Sequence, residues 1–205
     1  MPTAAAARQR IADLATRVTP IDHREDADRA DILAWVASGQ PLFRTAKPDV
    51  PAKHLAVYFV LLDEPSGSVL LVDHIKAGCW LPPGGHVDPD EDPAVTAVRE
   101  AAEELGIDAR FYPKLGDGQP LFLSVTRTRG PGSHTDVTMW FVMTGDRDTP
   151  MTGDPAEFAR TDWFSLDQIT AWAPDASDPH IQRFVAKLQE ALALAVERTR
   201  LTQDS

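Results

Sequence analysis

Residues 80–107 read WLPPGGHVDPDEDPAVTAVREAAEELGI, and the rest of the chain is best understood outward from them. Asp92 before Pro93 combines an N-cap carboxylate with a first-turn proline, a position where the missing N–H costs nothing. Gly106 after Leu105 is a helix stop. The spacing therefore predicts a helix over 93–105. Ala94, Val98, Ala101 and Leu105 recur at intervals of 4, 3 and 4 and form an apolar stripe. At about 100° per residue, Glu100 and Glu104 project within about 40° of each other, with Glu103 about 60° to the other side of Glu100. All three carboxylates are expected to face away from the stripe.

Carboxylates crowded on one helical face repel one another, and a solvated acidic face is the ordinary reason for tolerating them. The turn Pro83-Gly84-Gly85, just ahead of the helix, argues for a second reason. Glycines let the backbone approach a ligand closely, and the carbonyls there can add oxygen donors. Carboxylates with a carbonyl suit Mg²⁺ or Mn²⁺, hard cations that keep several waters and usually share their shell with substrate phosphates.

The balance of the whole chain agrees. Lys+Arg number 20 against 31 Asp+Glu, a net charge of -11 over 205 residues. Such a chain has no general attraction for duplex nucleic acid, and it would repel an anionic substrate unless a cation mediated the contact. The simpler role of the charge is solubility in the cytoplasm, the expected compartment. A hydrophobic fraction of 43% with 25% charged residues is that of a globular protein. The one cysteine, Cys79, makes neither a disulfide nor a Cys-rich zinc site, and beside Trp80 it reads as a small core residue. No apolar run reaches membrane-spanning length, and MPTAAAARQRIADL reads as helix, not as a signal peptide.

Toward the N-terminus, Ile11, Leu14 and Val18, then Ile32, Leu33, Trp35 and Val36, predict two amphipathic helices in a somewhat separate extension over 1–50. Pro48 and Pro51 punctuate the linker to a main domain over 51–205. HLAVYFVLL (54–62) and SVLLVDHI (68–75), joined by Glu64-Pro65-Ser66-Gly67, predict a hairpin of mostly buried strands. Residues 78–89 read as Gly/Pro-rich connection. Further strands are expected over 121–129 and 136–145 around Gly130-Pro131-Gly132, with a short strand over 161–164. A short helix over 166–172 and a long one from Pro179 to about Arg200 complete an α/β chain with a mixed sheet.

Gly85, five residues, Glu91, seven residues, then Arg99-Glu100-Ala101-Ala102-Glu103-Glu104-Leu105-Gly106-Ile107 resembles the Nudix box, Gx5Ex7REUxEExGU. Ala101 is small for its U position, and Asp90 stands where many members have Gly; Asp tolerates a left-handed conformation better than most residues. The resemblance implies an α/β/α sandwich with a mixed sheet and hydrolysis of a diphosphate linkage, usually in a nucleoside diphosphate joined to another group. It implies Glu100, Glu103 and Glu104 as ligands of Mg²⁺ (or Mn²⁺), helped by the Gly84 carbonyl, with Arg99 and Glu91 orienting them. Glu157, six residues before Trp163-Phe164-Ser165-Leu166, is similar to the loop glutamate of MutT-type members that reaches the metals; Asp154 and Asp162 are its rivals. Lys76, His86, Arg127, Arg129 and His134 are candidates to meet substrate phosphate. Trp140 is expected in the core.

Substrate choice lies outside the box. A Pro typical of ADP-ribose hydrolases is replaced by Phe122, and residues 123–125 lack the Tyr of dinucleoside polyphosphate hydrolases. Where MutT-type members place an Asn, this chain, which has none, places Asp178. An ionised Asp accepts hydrogen bonds but cannot donate. The partner expected is a small nucleotide-type diphosphate, and a homodimer through the N-terminal helices is compatible with the sequence. A different class of protein, a binding module that senses a nucleotide without hydrolysing it, would have no need of all three box glutamates.

Overall fold

The computed structural model describes residues 4–128, 132–173 and 176–203. The chain runs α1 (Ala4–Arg17), α2 (His23–Ala37), β1 (Lys53–Asp63), β2 (Ser68–His74), β3 (Cys79–Leu81), β4 (Gly84–His86), α3 (Pro93–Leu105), a 3₁₀ turn (Pro113–Leu115), β5 (Phe122–Arg127), β6 (Thr135–Thr144), β7 (Phe158–Ser165), α4 (Leu166–Thr170) and α5 (Ile181–Gln203). The strands form one mixed sheet in the order β3-β2-β1-β6-β5, with β4 added to β1 and β7 to β2.

Strand β1 organises the sheet. It lies parallel to β6 from Lys53 opposite Thr135 to Leu62 opposite Thr144. Its odd residues Leu55, Val57, Phe59 and Leu61 join a core with α1, α2 and α3, while Val60 and Leu62 join a second core with α4 and α5. Helices cover both faces, which is why 54–62 is apolar throughout instead of alternating. Trp140 is fully buried in the second core, where it stacks on Phe184.

The expected hairpin is corrected in one respect. β1 and β2 pair only near their turn, at Leu62–Val69 and Asp63–Ser68. Farther on they part, β2 pairing with β3 and β7 and β1 with β4. The connection over 78–89 is also corrected, because it contains β3 and β4. The last strand spans Phe158–Ser165, longer than 161–164, because its pairing with β2 runs on past a bulge at Ala159 to Phe158 opposite His74.

The N-terminal helices are packed on the sheet. Ile11, Leu14, Ala15, Ile32 and Trp35 lie in the same buried cluster as Leu55 and Val57. Glu25 is fully buried; it pairs with Lys187 of α5 at 2.6 Å and accepts the Leu123 N–H of β5 at 3.1 Å. Asp22 both caps α2 and holds the Arg183 guanidinium through two bonds of 2.6 and 2.8 Å.

Candidate metal and catalytic site

Helix α3 begins at Pro93 with Asp92 as its cap and ends at Gly106 in the left-handed conformation, as its sequence predicts. Before it, Asp90 adopts φ 64, the conformation for which Gly is commoner. β4 lies against both β1 and α3, and this contact gives the box its shape. A Cβ on Gly84 would stand 2.1 Å from the Val57 carbonyl oxygen, and one on Gly85 would stand 2.3 Å from Glu100 Oε1. These two positions have no room for a side chain because the strand and the carboxylate occupy that space.

The glutamates lie on the side of α3 that the apolar stripe leaves free, but most of that side is covered. Glu104 is only 7% exposed, and its Oε2 accepts the Gly84 N–H at 3.0 Å. Glu100 is largely covered, and only Glu103, with a side chain 59% exposed, faces solvent. The reason is β4, which lies across the side of the helix that the stripe leaves free. Arg99 binds the carboxylates together. It grips Glu91 through Nε (3.2 Å) and Nη2 (3.1 Å) and reaches Glu100 (2.9 Å) and Glu103 (2.8 Å) through Nη1. Thr96 donates to Glu91 Oε2, the oxygen that Arg99 Nη2 also holds, at 2.6 Å. Burial would raise the Glu91 carboxyl, but Arg99 and Thr96 outweigh it and hold the group below its ordinary value.

Glu157 ends the turn before β7, and its carboxyl lies close enough to interact with Glu104 and Glu100. Its loop is docked on the end of α3. The Thr152 N–H donates to the Leu105 carbonyl at 3.2 Å and the Asp154 N–H to the Glu104 carbonyl at 3.0 Å, satisfying acceptors that a helix end leaves open. Asp154 spends its side chain on the Ala156 N–H and Asp162 on the Trp163 N–H, both at 2.8 Å. Burial, with Glu100 and Glu157 adding repulsion, pushes the Glu104 carboxyl up to about 9 against the Gly84 N–H. Burial also raises Glu100, with Glu103 and Glu157 adding to it and Arg99 opposing. An all-oxygen set under this much mutual repulsion fits a hard divalent cation.

The remaining candidates are dispersed. Lys76 is exposed in the β2–β3 turn, and Arg129 lies outside the described residues. Arg127 donates to Ser133 and lines a cleft of about 360 Å³ with Arg24, His180 and Arg183, which none of the box glutamates lines. Asp178 is buried between the Tyr58 hydroxyl and the His180 N–H, and burial raises it to about 6. His86 and His134 point toward His54 and Asp136. The sequence reading passed over His54, Asp136 and Asp49. The one available signal was the i, i+2 pair His134 and Asp136, which a strand places on one face.

The model of the NUDIX domain family matches residues 52–188. "Nucleoside diphosphate-linked moiety X motif 6" of Xenopus laevis is 34% identical over 91 residues, covering 43% of this chain and 40% of that protein. The asymmetrical bis(5'-nucleosyl)-tetraphosphatase of Sus scrofa is 44% identical over 54 residues, 26% of this chain and 31% of that enzyme. The match therefore spans less than half the length of either relative. A solved NUDIX family hydrolase from Clostridium perfringens has a TM-score of 0.51 at 24% identity, covering 69% of this chain and 97% of that one; it shows the shared fold. Among the described residues, no helix is long and apolar enough to cross a membrane.

Proposed function

From the chain's membership of the Nudix domain family, we propose that it hydrolyses the diphosphate linkage of a nucleoside diphosphate joined to a second group. The observation that carries this reading is the convergence of the Glu100, Glu104 and Glu157 carboxyls; burial first, and repulsion from Glu100 and Glu157 second, push the Glu104 carboxyl up to about 9. Glu100, Glu103, Glu104 and Glu157, with the Gly84 carbonyl, would hold the cation. Bound Mg²⁺ or Mn²⁺ supplies charge neutralisation at the phosphates and activation of water.

The chain's own residues do the rest. Arg99, braced by Glu91, fixes the rotamers of Glu100 and Glu103, so little reorganisation is needed when substrate arrives. Glu157, on a loop segment beside the helix glutamates, would accept a proton from the attacking water. Lys76 and Arg129 are the candidate cations for the outer phosphates, Arg127 lining a separate cleft, and Asp178 is an acceptor toward a base. In this reading residues 51–205 form the hydrolase domain and the helices of 1–50 cover one of its faces.

The test is a panel of nucleotide sugars, dinucleoside polyphosphates and nucleoside triphosphates, incubated with Mg²⁺ or Mn²⁺ and resolved by product chromatography. At least one should be cleaved at a diphosphate bond by the wild type and far more slowly by Glu100→Gln. Nucleotide binding without cleavage across the panel would make the chain a sensor and overturn the proposal.

A further inference from the structure

A second cluster of metal-binding groups lies beside the box, built from different chemistry. His54 is on β1, His86 ends β4, and His134 and Asp136 lie at the start of β6, His54 being register partner of Asp136. The Asp136 Oδ1 is 3.2 Å from His54 Nε2, 3.2 Å from His134 Nε2 and 3.9 Å from His86 Nε2. A ligand atom from each of Asp49, His54, His86 and His134 lies within 4.8 Å of the others. His54 is 0% exposed, and neither its Nε2 nor the buried Asp136 Oδ1 has a hydrogen-bond partner.

The tautomers show what is missing. The His54 Nδ1 stands 2.8 Å from the Pro51 carbonyl, which can only accept, so this nitrogen carries the hydrogen and Nε2 presents a lone pair. The His134 Nδ1 has the Gly132 carbonyl at 3.1 Å, the Thr128 hydroxyl at 3.2 Å and Asp49 Oδ2 at 3.3 Å around it; two of the three can only accept, which favours the hydrogen on Nδ1 and a lone pair on Nε2. Two imidazole lone pairs are thus aimed at a carboxylate oxygen in a dry place, a costly arrangement unless a cation lies between them. Protons could satisfy the His54 contact only by charging a fully buried ring whose centroid is 5.0 Å from that of His134. One divalent ion satisfies all three groups. Tetrahedral bonds of about 2.0–2.1 Å put neighbouring ligand atoms roughly 3.3 Å apart, close to the spacings seen here.

We propose that His54, His86, His134 and Asp136 form a second metal site, which takes a borderline transition ion of the Zn²⁺ class and not the hard cation suited to the glutamates. Imidazole-rich sets favour Zn²⁺ and its neighbours over Mg²⁺. The Pro51 carbonyl and Asp49 supply the outer hydrogen bonds that fix a ligating histidine. The ion would tie β1, β4 and β6 together at one point. His86 directly follows the Gly84-Gly85 pair, and its carbonyl accepts Arg99 Nη2 at 3.3 Å, so the ion would also steady the box.

The test uses the full-length, tag-free chain with Zn²⁺ or Co²⁺ alone. After gel filtration in excess Mg²⁺, the wild type should retain stoichiometric Zn²⁺ by elemental analysis. The Co²⁺ form should show the intense visible bands of tetrahedral coordination. The half-buried His86 is the safer substitution because His54→Gln could simply unfold. His86→Gln and His134→Gln should lose the metal and the bands, while the double variant Glu100→Gln, Glu104→Gln keeps both. A wild type that retains no zinc would overturn the proposal, as would zinc lost from the glutamate variant but kept by His86→Gln. Doubly protonated His54 and His134 rings in nitrogen NMR of the zinc-treated protein would overturn it too.

Discussion

Glu104 is buried beside Glu100 and Glu157, and its carboxyl titrates near 9 instead of 4.5. Between those values the folded state binds a proton that the unfolded state has released. Metal-free stability therefore falls as pH rises, by about 1.4 kcal/mol per unit from this group alone. Glu104→Gln keeps an acceptor for the Gly84 N–H and removes the charge. In EDTA its melting temperature should exceed the wild type's, with a gap that widens up to about pH 9; parallel melting curves would show Glu104 to be comfortable as an anion. With Mg²⁺ and substrate, the same variant should lose roughly 10²-fold or more in turnover. Glu157→Gln should lower kcat substantially, whereas Asp154→Asn and Asp162→Asn, whose side chains serve neighbouring backbone N–H groups, should turn over almost normally. Wild-type kcat in Glu157→Gln would remove it from the chemistry. The spacing to Trp163 singled out Glu157, which the fold brings beside Glu104 and Glu100; the burial of Glu104 was not legible, because a helical wheel shows which side of the helix the stripe leaves free and not what lies over it.

Among the elements, α3 was readable to its end residues because cap, proline, stripe and stop are all local signals. β4 was not, since Gly84–His86 has no periodicity of its own and exists through its pairing with Ala56–Tyr58 of β1. The histidine cluster was hidden for the same reason: its members come from strands joined only by the sheet's crossovers. Between α2 and α5, the pair Glu25–Lys187 sits where neither charge reaches water. Lys187→Met leaves Glu25 buried without its cation and should cost about 3–5 kcal/mol by denaturant unfolding. The double variant Glu25→Gln, Lys187→Met should recover part of that loss; a single variant as stable as wild type would show that water reaches Glu25.

At the scale of the whole molecule, the α1–α2 layer shares one sheet face with α3 and covers the part of it that α3 leaves open. A chain beginning at Val50 exposes Leu55, Val57 and Leu123 and strands Lys187. We expect it to aggregate or to lose near-UV dichroism; a monodisperse, natively folded fragment would show the helices to be dispensable. The sequence showed that these helices needed an apolar partner but could not say whether a second protomer or their own sheet supplied it. The loop that carries Glu157 also has a consequence in time. Among the described residues its backbone is tied to α3 through the Thr152 and Asp154 amides, so each departure from the helix end bares both to solvent together. Their deuterium uptake is a clock for the opening of the loop, and both should slow in step when a nucleotide and metal are added. The amides of β1, at the centre of the sheet, should keep their hydrogens until the whole molecule unfolds. The ratio of the two rates would count how many times the Glu157 carboxylate comes and goes in the life of one folded chain.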